Sequence, residues 1–155
     1  MVNQTSDKRP ESVLVVVYTL AGEVLMLNRI RPRGFWQSVT GSLKWGEKAP
    51  QAAERELFEE TGLRASGRLI NARHVERFPI LPAWHGRFSP AVHYNLEHRF
   101  YFQLPTHRLI TLSRSEHSQM RWLPLMAASR LASSWTNRDA ILQLHQYLPL
   151  LSPMG

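Results

Sequence analysis

Cysteine is absent from the 155 residues, which excludes a disulfide framework, a thiolate zinc site and a cysteine nucleophile. Such a chain suits a reducing compartment, and a cytoplasmic setting is the expectation. Long apolar runs are missing too. The longest, Val13 to Tyr18, is far short of the ~20 residues that a membrane helix needs. The opening MVNQTSDKRP lacks the apolar stretch of a signal peptide, so a soluble protein with no membrane partner is expected. The seven histidines include no pair at the helical spacing of metal ligands and give no ground for zinc. Lysine is scarce, confined to Lys8, Lys44 and Lys48, so arginine supplies most of the 19 cations. Repeats and low-complexity linkers do not occur, and no element specifies a subunit interface.

What is present points to one domain spanning residues 1–155, with residues 1–7 flexible. A chain of this length with 43% hydrophobic residues can bury one core but not two. The net charge of +7 suits either a polyanionic ligand or a merely well-solvated surface. Against that excess, five of the 12 acids, Glu47, Glu54, Glu56, Glu59 and Glu60, crowd into one short stretch. No run of interleaved aromatic and basic residues suggests nucleic acid.

Hydrophobic patterning predicts a strand buried on both faces at 12–18, a return strand at 24–29 after the turn at Ala21-Gly22-Glu23, and a short strand at 35–39. A helix is predicted from about Pro50 to Thr61, with Pro50 suited to its first turn and Gly62 to a left-handed stop. Strands are expected at 68–80, 93–104 and 119–123, a loop at 79–90, and helices at 125–132 and 137–148. Strands before and after helices give an α/β class, an α/β/α sandwich around a mixed sheet.

Within the predicted helix, Glu56 and Glu60 are i,i+4 neighbours and Glu59 lies between them, so three carboxylates share a face. Their mutual repulsion is best relieved by a hard cation, Mg²⁺ or alternatively Mn²⁺, which prefers oxygen ligands and also accepts phosphate oxygens. Gly41 and Gly46 precede the helix in a loop whose backbone can approach an ion or a phosphate closely.

The segment GSLKWGEKAPQAAERELFEETGL, residues 41–63, fills every fixed position of the Nudix signature: Gly41, Glu47, Arg55, Glu56, Leu57, Glu59, Glu60, Gly62 and Leu63. On these residues the chain is identified as a member of the Nudix hydrolase family. That resemblance implies the Nudix fold and a metal-dependent pyrophosphohydrolase. It further implies metal ligation by the Gly41 carbonyl and by Glu56, Glu59 and Glu60, with Arg55 and Glu59 in the catalytic set and Arg55 orienting the glutamates. Glu116, just before Arg121-Trp122-Leu123, resembles the loop acid that many members carry, either a further metal ligand or the base toward water.

Three separated segments, Lys8-Arg9-Pro10, Phe35 to Ser42 and Ser134 to Arg138, resemble the branch of the family that hydrolyses dihydroneopterin triphosphate in folate synthesis. The partner so implied is a small-molecule triphosphate. Substrate contacts would come from Lys8, Arg29, Thr40 and Ser134, and Phe78 to Leu81 would line the heterocycle pocket. Lys8 and Arg29 have the chemistry for phosphates, though each also fits an ordinary surface cation. Thr40 fits a sheet edge equally well, and Trp36 and Trp135 fit either a stacking role or the core. The alternatives are a nucleoside triphosphate hydrolase of the dATP or oxidised dGTP type and a non-catalytic RNA- or protein-binding module. Retention of all three glutamates speaks against the module.

Overall fold

The computed structural model describes residues 7–146. The Val-rich run forms β1 (Glu11–Thr19) at the centre of a seven-stranded sheet. β1 runs parallel to β6 (Tyr94–Leu104) from Glu11↔Leu96 to Thr19↔Leu104. It pairs antiparallel with β4 (Val39–Ser42) from Ser12↔Ser42 to Val15↔Val39, and with β2 (Glu23–Arg29) only at Tyr18↔Val24. β2 in turn carries β3 (Trp36–Gln37) and β7 (His117–Pro124), both antiparallel, and β5 (Leu69–Pro79) closes the far edge on β6. Since β1 and β2 share only one end, the sheet opens between them, and the opening is where the functional cleft lies.

Alternation along β1 divides the core. Val13, Val15 and Val17 face a layer that includes Ala52, Ala53 and Leu57 of α1 (Ala49–Thr61). Leu14, Val16 and Tyr18 face the other way, onto Ala128 of α3 (Leu125–Leu131) and Ala140 and Ile141 of α4 (Trp135–Leu142). A strand covered on both sides has no solvated face, which explains its lack of polar alternation. The result is the expected α/β/α sandwich around a mixed sheet. No helix among the described residues is long and apolar enough to cross a membrane.

α1 begins and ends where local chemistry dictates. Pro50 occupies its first turn, where a missing N–H costs nothing, and the Gln51 side chain accepts the Lys48 amide at 3.0 Å. Gly62 stops it at φ 78°, its N–H donating to the Phe58 carbonyl at 2.8 Å.

Several boundaries differ from the sequence expectation, each for a local reason. The expected strand 35–39 is split at Ser38, whose N–H donates to Asn137 Oδ1 at 2.7 Å while its hydroxyl accepts from Asn137 Nδ2 at 2.9 Å. This side-chain ladder turns the chain from β2 toward β1, and β4 then continues to Ser42. β5 bulges between Asn71 and Val75, where the Asn71 side chain accepts the Arg73 amide at 2.8 Å and Arg73 sits at φ 53°. The expected loop 79–90 contains α2 (Pro82–His85), a single turn. α4 starts earlier than the expected 137, because Ser134 caps it, and it passes into a 3-10 turn at Gln143–Gln146. Tyr147 and Leu148 of that expected helix lie outside the described residues, as do residues 1–6 of the expected flexible start. Asp7 itself is held, its carbonyl accepting Trp45 Nε1–H at 2.9 Å.

Candidate active site

The segment Gly41 to Gly62 wraps from β4 through a loop into α1, and Arg55 ties its parts together. The guanidinium makes two bonds to the Glu47 carboxylate, at 2.8 and 2.9 Å, one to Glu56 at 2.9 Å, one to Glu59 at 3.2 Å, and one to the Ser42 carbonyl at 3.1 Å. Glu47 also accepts the Lys44 amide at 2.9 Å. Arg55 holds the Glu47 carboxyl down at about 2, well below its ordinary value, and Glu47 in turn raises the guanidinium. Arg9 clamps the same loop from outside, donating to the carbonyls of Lys44 and Glu47 at 2.9 and 2.8 Å. Loop and helix are thereby locked in one arrangement.

Three acids converge behind this lock. Glu56 lies against Gly41 so closely that a Cβ there would fall on its carboxylate, which explains the glycine. Glu60 is fully buried, one carboxylate oxygen 2.9 Å from Nε2 of the equally buried His117. Its other oxygen has no well-formed hydrogen bond among the described residues. Glu116, exposed in the loop that leads into β7, lies within 4.8 Å of both, ligand atom to ligand atom. Burial, reinforced by Glu116, raises Glu60 well above the usual carboxylate range. Glu56 is raised as well, by burial and by the charge of Glu60, with Arg55 offsetting only part. Burial lowers His117, which favours its neutral form. The groups within 4.8 Å of one another are thus two carboxylates and the His117 imidazole, already engaged with Glu60; with Glu56 beside Glu60, the set is rich in oxygen and fits a hard divalent cation.

The cleft in front of these acids has a volume of about 820 Å³. Of the residues expected at the site, Lys8, Arg29, Thr40, Gly41, Arg55, Glu56, Phe78, Leu81, Glu116 and Ser134 all line it. Glu60 closes the acidic cluster from inside the protein. Glu59 is the most exposed of the three helix carboxylates; it shares Arg55 Nη1 with Glu56 and its charge helps to raise the Glu56 carboxyl. Cations rim the opening. Lys8 is crowded by Arg87 and Arg29, and partial burial together with these charges lowers its pKa. Arg29 donates to the Arg31 carbonyl at 2.7 Å and lies 5.8 Å from the centre of the Trp84 ring.

The polar side chains expected to touch substrate also have structural partners. The Thr40 hydroxyl donates to the Val13 carbonyl at 2.8 Å. The Ser134 hydroxyl caps α4, accepting the Asn137 amide at 3.2 Å. Ser134→Ala is therefore expected to cost about 0.5–2 kcal/mol of stability whatever the substrate. Urea denaturation checks this, and an unchanged midpoint would remove the capping role. Trp36 belongs to the core, with Arg121 over its ring at 4.9 Å, whereas Trp135 is exposed and lines the cleft. Sequence reasoning passed over His117, because histidines were sought only as zinc pairs.

Comparison with known proteins agrees with this geometry. The model of the NUDIX domain matches residues 8–144. The dihydroneopterin triphosphate diphosphatase of Escherichia coli K12 is 43% identical over 140 residues, 88% of this chain and 92% of that protein. The enzyme of the same name from Haemophilus influenzae is 34% identical over 138 residues, 86% of each chain. The solved structure of the E. coli dihydroneopterin triphosphate pyrophosphohydrolase superposes with a TM-score of 0.83 at 42% identity, covering 88% of this chain and 95% of that one.

Proposed function

The chain belongs to the Nudix family, and from that premise we propose that it hydrolyses dihydroneopterin triphosphate to dihydroneopterin monophosphate and pyrophosphate, with Mg²⁺ as the working ion. The observation that carries the chemistry is the buried Glu60 carboxylate, one oxygen unsatisfied, behind a cleft rimmed by cations. Similarity over most of the chain to diphosphatases of that name supports the substrate.

In this reading Glu56 and Glu60 would hold the cation with the Gly41 carbonyl, and Glu116 would either complete that set or serve as the base. The ion supplies charge neutralisation at the phosphates and lowers the pKa of water at the site. Arg55 is a positioning residue, fixing Glu56 against Gly41 and linking it to Glu47; Glu59, beside Glu56 on the same guanidinium, would be a further ligand from the outer side. Lys8 and Arg29 bind the phosphate chain, a role for which point charge and a planar fork are both suited. As the base, Glu116 would accept the proton of the attacking water from its place at the rim. Phe78 and Leu81 border the heterocycle, and Ser134 keeps α4 beside it.

The test is a substrate panel with Mg²⁺, in which phosphate and pyrophosphate are assayed separately. Dihydroneopterin triphosphate should give pyrophosphate with a higher kcat/KM than dATP, GTP or 8-oxo-dGTP. Preference for any of these nucleotides would overturn the substrate while leaving the Nudix chemistry.

A further inference from the structure

Away from the acidic cluster, the same cleft holds a second acid. Glu97 on β6 is buried, 7% exposed, and lines the cavity. No lysine or arginine among the described residues closes an ion pair with it, although Arg99, two residues along the strand, lowers its pKa from a distance. Its polar neighbour is the Thr136 hydroxyl, at the first turn of α4, and the charge of Glu76 lies on the unfavourable side. Burial pushes the Glu97 carboxyl up to about 7. The buried Arg99 on the same strand face offsets part of the charge without forming an ion pair, and a buried acid so incompletely paired is costly to maintain unless a binding pocket gives it a use.

A second unsatisfied group lines the same cavity. Gln37 on β3, 5% exposed, has a side-chain Nε2 donor with no acceptor among the described residues, but that atom is sealed within the wall and not open to the cleft. α4 connects the two: Thr136 serves Glu97, and the next residue, Asn137, makes both bonds to Ser38 beside Gln37. Asn95, also in the cavity wall, is already committed through Nδ2 to the Ser12 hydroxyl at 2.8 Å. The polar group left open to a ligand in this part of the cleft is thus the Glu97 carboxylate.

We infer that Glu97 reads the heterocycle, its carboxylate accepting two parallel N–H bonds from the ring N–H and exocyclic amine of a 2-amino-4-oxo edge. This is the fork arrangement that a carboxylate makes with a guanidine-like donor pair. Pterin and guanine share that edge. Adenine presents a ring nitrogen acceptor where the fork needs a donor, and hypoxanthine lacks the amine. The inference rests on the triphosphate hydrolase reading and adds the determinant of its ring specificity.

The experiment compares kcat/KM for dihydroneopterin triphosphate, GTP, ITP and ATP with the wild-type protein and with Glu97→Gln. GTP and ITP differ only in the amine that Glu97 would bind, so wild type should favour GTP by roughly 10- to 100-fold, the scale of leaving a buried acceptor unpaired. Glu97→Gln can keep its carbonyl oxygen on the ring N–H but then turns its N–H₂ against the exocyclic amine, so the GTP/ITP ratio should fall toward one and the pterin substrate should lose a similar factor. ATP hydrolysis should be unchanged or improved. Equal wild-type efficiency on GTP and ITP, or a ratio that survives the substitution, would overturn the assignment. A uniform fall on all four substrates would mark Glu97 as structural and overturn it equally. Should Glu97→Gln fail to fold, Glu97→Asp, which keeps the charge but withdraws it by one methylene, must shrink the same ratio. Failure of the underlying reading looks different, since wild type would then release pyrophosphate from none of the four.

Discussion

Replacing Glu60 by Gln is expected to lower kcat by on the order of 10²-fold or more, the scale on which removal of one charge-stabilising group acts, and at the same time to stabilise the metal-free protein above neutral pH. The two effects have one origin. Glu60 is buried beside Glu56 and Glu116, and its pKa is raised by burial and then by Glu116. A carboxyl whose pKa is higher folded than unfolded contributes stability that is complete below its unfolded value, about 4.5 for a free glutamate, and is lost as pH rises through the folded value. The metal-free wild type should therefore weaken from mildly acidic to alkaline pH. Gln keeps the bond from His117 Nε2 through its carbonyl and carries no charge, so that pH dependence should flatten. Added Mg²⁺ should raise the melting temperature of wild type and leave Glu60→Gln nearly unmoved. Near-normal turnover, or an equal Mg²⁺ response in the variant, would take Glu60 out of the metal site.

How far the site was legible in the sequence follows from the range of its contacts. Within residues 41–63 the carboxylates and Arg55 are arranged by helical periodicity and one loop, so their spacing alone carried the geometry. Glu60 was readable as a ligand but not as the partner of His117, because that contact joins α1 to β7 across 57 positions. The same limit hid the division of residues 35–42 into two strands. Its cause, the Asn137 side chain on Ser38, acts across 99 positions. Asn137 also lies in a segment that resemblance linked to the substrate, and the structure gives it a framework task instead. Glu97 and Asn95 did leave a trace. With Arg99 they occupy inward positions that alternate with the exposed Tyr94 and Leu96, on a strand whose next inward position, Tyr101, is core, so polar groups sit where the covered face should be apolar. Polar residues at inward positions mark either a satisfied buried network or a ligand pocket, and only the cavity decides between them.

Glu116→Gln is the second substitution expected to act strongly, with a kcat lower by roughly 10²–10⁴-fold, the contribution of a positioned base, and a KM little changed. The loop that carries the residue is fixed: the Glu116 amide donates to the Ser113 carbonyl at 3.0 Å, and its carbonyl accepts the Ile30 amide at 2.9 Å. The exposed side chain is thus free to meet water while its backbone stays in register with β2, beside Arg29. Two roles remain compatible with that position, and they separate in one experiment. If Glu116 takes the proton from water, kcat should fall with the Mg²⁺ concentration for half-activity unchanged. If it is chiefly a ligand, half-activity should require more Mg²⁺, and saturating ion should restore much of the rate. An unchanged kcat at ordinary Mg²⁺ would reduce Glu116 to a solvated loop acid and leave the metal site to the acids of α1.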